Sequence, residues 1–187
     1  MSCRIGGRVM KLYSSVVMVC LATAGTAFAQ AGGDQKQPAA DALRQSWDNV
    51  KAMVAGSAEL MPEDKYAFKP TPDVRSFGGI IGHVANSNYM FCSAARGDEN
   101  PNKEDFEKTT EKAALVEAVK ASIAYCDEAF TKATDASVGE QIKLFGRDAA
   151  RINALLMTVA HGSQHYGNLV TYLRMNELVP PSSAGSQ

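Results

Sequence analysis

Apolar residues recur at helical spacing along most of the chain, and four stretches carry the pattern. In the first, Ala39 to Leu60, the residues Leu43, Trp47, Val50 and Val54 form one stripe. Pro62, Pro70 and Pro72 then mark a long connection. A second helix is predicted from Ser76, with Phe77, Ile80, Ile81, Val84 and Phe91 on one side and Arg96-Gly97 and Pro101 as stop signals. A third starts at Thr109 or Thr110, either a credible N-cap, and carries Leu115, Val119, Ile123, Cys126 and Phe130. The fourth runs from about Asp148 to Asn176 and stops before Pro180-Pro181. No stretch sustains a period of two and β-branched residues do not cluster, so no strand is expected. The fold class is therefore all-α. A single four-helix bundle is expected over residues 39–180, with a flexible leader at 30–38 and a flexible tail at 181–187.

One apolar run stands outside this scheme. Leu12 to Leu21 is almost wholly apolar, follows Arg4, Arg8 and Lys11, and leads through small residues to Ala27-Phe28-Ala29, the A-x-A pattern of a signal-peptidase site. Residues 1–29 are read as a signal peptide, and Met10-Lys-Leu opens a more typical one than Met1 does. The run is short for a span of about 20 residues and decays into Ala, Thr and Gly, so no membrane span is expected after its removal. The protein is expected to be exported, either periplasmic or secreted.

Composition narrows the reading further. With 45% hydrophobic and 21% charged residues the chain has the balance of a globular protein, which excludes a disordered or fibrous class. The signal segment carries three basic residues and no acid, so its loss moves the formal net charge from −1 to −4. That mild acidity argues against a nucleic-acid partner and gives no pull toward anionic membranes. Cys3 and Cys20 leave with the signal, and Cys92 and Cys126 remain in an oxidising compartment where a pair can be bridged.

The candidate chemistry lies in the three histidines. His161-Gly-Ser-Gln-His165 is an i, i+4 pair, with both imidazoles on one helix face one turn apart. His83 lies within or beside the apolar stripe of the second helix. Three imidazoles from two helices with an open fourth position is the donor set of a catalytic rather than a structural zinc-type site, and nickel suits it equally. Gly162 stands where the zinc-protease HExxH motif has its glutamate, so that mechanism is absent. No acidic residue sits one turn from any of the three. Asn86, Ser87, Asn168 and Tyr172 are their polar neighbours, fit to orient a substrate or the second ring nitrogens.

The sequence resembles the DinB/YfiT-like family. The resemblance rests on Trp47, on Met61-Pro-Glu-Asp-Lys-Tyr-Ala-Phe-Lys-Pro70 and Val74-Arg-Ser-Phe-Gly-Gly-Ile-Ile-Gly-His83, then on His161 to His165 and on Tyr172-Leu-Arg174 before Val179-Pro-Pro181. It implies a four-helix bundle of up-down-down-up order, often a homodimer, with His83, His161 and His165 on a divalent metal. Some relatives are thiol-dependent transferases or isomerases, and reduced thiols are scarce outside the cytoplasm. Two functions stay open: a metal-dependent hydrolase or transferase acting on a small molecule, and a non-catalytic metal-binding or stress-associated bundle. The implied order runs the two middle helices parallel and brings Cys92 level with Cys126. An antiparallel hairpin would hold the two roughly 16 Å apart, too far to bridge. A disulfide and two buried thiols are both compatible with the sequence.

Overall fold

The computed structural model describes residues 36–185, within the compact unit that starts at Lys36. The expected signal peptide, its cleavage site and most of the leader lie outside these residues. Four helices dominate: α1 (Pro38–Leu60), α2 (Phe77–Arg96), α3 (Lys112–Lys132) and α4 (Arg151–Met175). Helix α1 opens with Pro38 in its first turn, where a missing N–H costs nothing. Its free Ala40 N–H is capped from across the bundle, 2.8 Å from Asp135 Oδ1. Helix α2 is capped by Ser76, whose hydroxyl accepts from Gly79 N at 3.0 Å, and it ends at left-handed Gly97.

Two helix starts differ from expectation. Helix α3 begins at Lys112 with Glu111 as its N-cap, because Phe106–Lys108 forms a 3₁₀ turn whose C-cap is Thr109. Helix α4 begins at Arg151, not Asp148. Residues 147–150 instead form a strand, β2 (Arg147–Ala150), paired antiparallel with β1 (Gln141–Leu144). The expectation of no strand is thus corrected. Gln141 to Leu144 does alternate exposed and buried, but over four residues only. The turn is Phe145-Gly146, both at positive φ, a type I′ geometry in which phenylalanine is an unusual first residue.

Contacts fix the direction of each helix. Asp135 meets Ala40 and Asp127 meets Trp47, so α1 and α3 are antiparallel. Gly78 lies against Leu115 and Cys92 is bridged to Cys126, with Cα atoms 5.3 Å apart, so α2 and α3 are parallel. The pairs His83–His161 and Cys92–Thr158 make α2 and α4 antiparallel. The order is up-down-down-up, and the core is filled by Trp47, Met61, Phe77, Ile81, Leu115, Phe130, Leu155, Leu169 and Leu173. The chain beyond Pro180 is not a free tail where it is described. Pro181–Ser183 forms a 3₁₀ turn, and the Tyr166 hydroxyl donates to Ser182 Oγ at 2.7 Å. Among the described residues no helix is long and apolar enough to cross a membrane.

Candidate metal centre

The antiparallel seam of α2 and α4 brings His83 level with His161 and His165. The Nε2 atoms of His83 and His165 each lie 3.2 Å from His161 Nε2, and the three donor nitrogens fall within 4.8 Å of one another. A neutral ring nitrogen has one in-plane site, either a proton or a lone pair, so His161 Nε2 cannot form a full hydrogen bond with both neighbours at once. A tetrahedral ion with arms of about 2.0–2.1 Å has ligand–ligand edges of roughly 3.3–3.4 Å. Two of the three spacings, at 3.2 Å, are near such an edge; with all three donors within 4.8 Å, a small rotation of the His83 or His165 ring makes the set compatible with a divalent metal. His165 Nδ1 is buried and makes no hydrogen bond of good geometry within the described residues.

The surroundings keep the His161 and His165 rings neutral. Burial first, then the neighbouring His165 and His83, lowers the His161 pKa to about 4. Burial, His83 and Arg75 likewise lower His165, with Asn168 and Glu107 opposing. Asn168 lies near enough to favour the protonated ring without the geometry of a hydrogen bond to Nδ1. Neutral imidazole is the form that ligates.

Glu107 supplies the acidic group that sequence spacing failed to find. His83 Nδ1–H donates to Glu107 Oε1 at 2.6 Å, and Arg75 Nε donates to Glu107 Oε2 at 2.7 Å. Holding the Nδ1 proton leaves the His83 Nε2 lone pair directed at the other rings. Burial alone would raise the Glu107 carboxyl, but the bonds from Arg75 and His83 outweigh it and hold its pKa below the usual value. Glu107 reaches His83 because Gly82 lets the Phe106–Lys108 turn press against α2. A Cβ at Gly82 would collide with the Phe106 carbonyl oxygen. The only trace of this in the sequence is a glycine directly before the candidate ligand.

The other expected neighbours divide. Among the described residues Asn86 makes no hydrogen bond to the rings; it fastens the 97–111 connection by donating to Asp105 Oδ1 at 3.0 Å and accepting from Asn102 Nδ2 at 3.1 Å. Ser87 is buried and lines a hollow of about 370 Å³ together with His83 and Glu107. Asn168 and Tyr172 line an open cleft of about 610 Å³ with His165 and Arg75. The Tyr172 hydroxyl donates to the Arg75 carbonyl oxygen at 2.7 Å. Phe91 closes the far side, its ring edge-on to His161 with centroids 5.4 Å apart.

Comparison with known proteins identifies the fold and the family. The sequence model of the DinB superfamily matches residues 42–169. A DinB-like protein from Bacillus cereus has a similar structure, with a TM-score of 0.66 and 16% identity over 75% of this chain and 95% of that one. A DinB-like protein from Bacillus subtilis has a TM-score of 0.60 at 20% identity, covering 74% of this chain and 93% of that one. A mycothiol-dependent maleylpyruvate isomerase has a TM-score of 0.57 at 17% identity over 70% of this chain and 60% of its own. No curated protein sequence matches the chain.

Proposed function

The chain belongs to the DinB superfamily, and on that premise we propose that it is an exported metal-dependent hydrolase or transferase acting on a small molecule. His83, His161 and His165 are the ligands of one divalent ion, zinc or nickel. The observation that carries the proposal is the convergence of three ring nitrogens, two of them, on His161 and His165, kept neutral by burial. A divalent ion held there would supply Lewis acidity toward a carbonyl, a water or a thiol. The chain's own residues do the rest. Glu107 fixes the His83 tautomer, Phe91 shields one side of His161, and the cleft beside His165 admits a small molecule. Glu107 is committed to His83 and Arg75, so it is not a free general base.

The rival reading, a non-catalytic metal-binding bundle, calls for a closed and fully packed site. The open cleft at His165 favours the catalytic reading. Thiol transfer is one form the reaction could take, as the mycothiol-dependent isomerase among the similar structures uses a thiol. The A-x-A pattern at 27–29 supports export to the periplasm or beyond, and a homodimer is part of the proposal. The test is turnover of thiol-transfer and ester substrates by the mature protein loaded with zinc or nickel. Activity is expected only with metal, and is expected to vanish with a chelator or with any one of the three His→Ala changes. Turnover that persists without metal would place the chemistry elsewhere.

A further inference from the structure

Arg75 is held at two points and still has donors to offer. Its carbonyl oxygen accepts from the Tyr172 hydroxyl at 2.7 Å, and its Nε donates to Glu107 Oε2 at 2.7 Å. The bond to Glu107 uses one of the five guanidinium N–H groups, and among the described residues the Nη nitrogens have no recorded partner. The side chain is 46% exposed and lines the same cleft as His165. Most surface arginines lose several rotors when they bind an anion; this one has its backbone and its Nε already fixed. A planar fork presented in this way suits bidentate contact with a carboxylate.

Resting on the reading of the three histidines as a metal site, we propose that Arg75 selects the substrate: the cleft takes a small carboxylate whose anionic group docks on the Arg75 Nη fork, with its reacting group turned toward His165. Asp73 lines the same cleft and is exposed, so its charge disfavours a dianion more than a monoanion. The expected class is therefore a monocarboxylate. Asn168 and Tyr172 complete the wall between the fork and the histidines. The arrangement divides the work: Glu107 ties the anion site to His83, so the residue that binds the carboxylate is braced by the residue that orients a ligand.

The probe is butyrate, set against its neutral isostere butyramide and titrated into the mature protein with and without zinc, with binding followed by NMR. Wild type is expected to prefer butyrate by tenfold or more. Arg75→Gln should weaken butyrate at least tenfold and leave butyramide unchanged. Arg75→Lys, which can keep the contact with Glu107 but has no planar fork, should bind zinc like wild type and butyrate more weakly. Butyrate binding that is equal to butyramide in wild type, or unchanged in both variants, overturns the proposal. Should the chain bind no zinc and yet hold butyrate through Arg75, the metal reading fails while the anion site stands. Zinc binding with no preference for butyrate fails the anion site alone.

Discussion

Two seams of the same bundle treat buried polar groups in opposite ways. Between α1 and α3, Trp47 stacks on Phe130 with ring centroids 4.9 Å apart. Its indole Nε1 donates to Asp127 Oδ1 at 2.7 Å, and Lys51 donates to the same carboxylate at 2.8 Å. Each polar group there has a partner, and the seam is a stabilising one. Between α2 and α4, three ring nitrogens face one another and, among the described residues, His165 Nδ1 has no hydrogen-bond partner. Unpaired buried groups cost stability. The first seam is complete in itself, whereas the facing Nε2 atoms of the second are compatible with a shared divalent ion.

Paired substitutions test this contrast with the largest effects. His161→Ala should weaken zinc binding on the order of 10³-fold, beyond the 10–100-fold typical of losing a residue that merely supports a ligand. It should leave helical circular dichroism intact, because the core is mainly aliphatic. Trp47→Ala should do the reverse, costing about 3–5 kcal/mol of stability in denaturant titration while zinc stoichiometry holds. A Trp47 variant that lost zinc and stability together would erase the distinction between the seams. Reducing the Cys92–Cys126 bridge should cost about 3–4 kcal/mol by the chain-entropy account and spare zinc binding. Alkylation of the unreduced exported protein followed by mass spectrometry should find no free thiol on either cysteine.

Smaller effects sharpen the picture within the α2–α4 seam. Glu107→Gln should weaken zinc about 10–100-fold through the His83 ring, read by competition with a chromophoric chelator. Unchanged affinity would make the Glu107–His83 contact incidental. The smallest effect is in the metal-free protein. The folded pKa values of His161 and His165 lie below the unfolded value of 6.5, so the unfolded chain takes up protons first as pH falls. The stability contributed by neutral rings is complete above pH 6.5 and drains away as pH drops toward about 4. The melting temperature should fall across that window by roughly a few degrees, and less in His161→Ala. A flat profile in the wild-type chain would contradict burial of neutral rings.

Much of this was legible in the sequence, for identifiable reasons. The stripes Leu43–Val54 and Leu115–Phe130 repeat long enough to declare helices, and the i, i+4 spacing of His161 and His165 puts both rings on one face whatever the tertiary fold. The hairpin was missed because its strands are four residues long and its turn, Phe145-Gly146, is not one of the usual pairs. Glu107 and Arg75 were missed because both act from connections. Glu107 lies 24 positions from His83 and reaches it only because Gly82 admits the Phe106 carbonyl. Asn86 sits one turn from His83 in the sequence but points its hydrogen bonds at the 97–111 connection instead. Helical spacing predicts which residues share a face and says nothing of which loop will cover it.

Metal analysis of the mature protein tests the central claim most directly. Titration with zinc or nickel, joined to X-ray absorption at the bound ion, should give one ion per chain with nitrogen donors at about 2.0–2.1 Å. The His83→Ala, His161→Ala and His165→Ala proteins should each lose most of it. A chain that bound no divalent ion, or one that kept full occupancy with all three histidines replaced, would contradict the account.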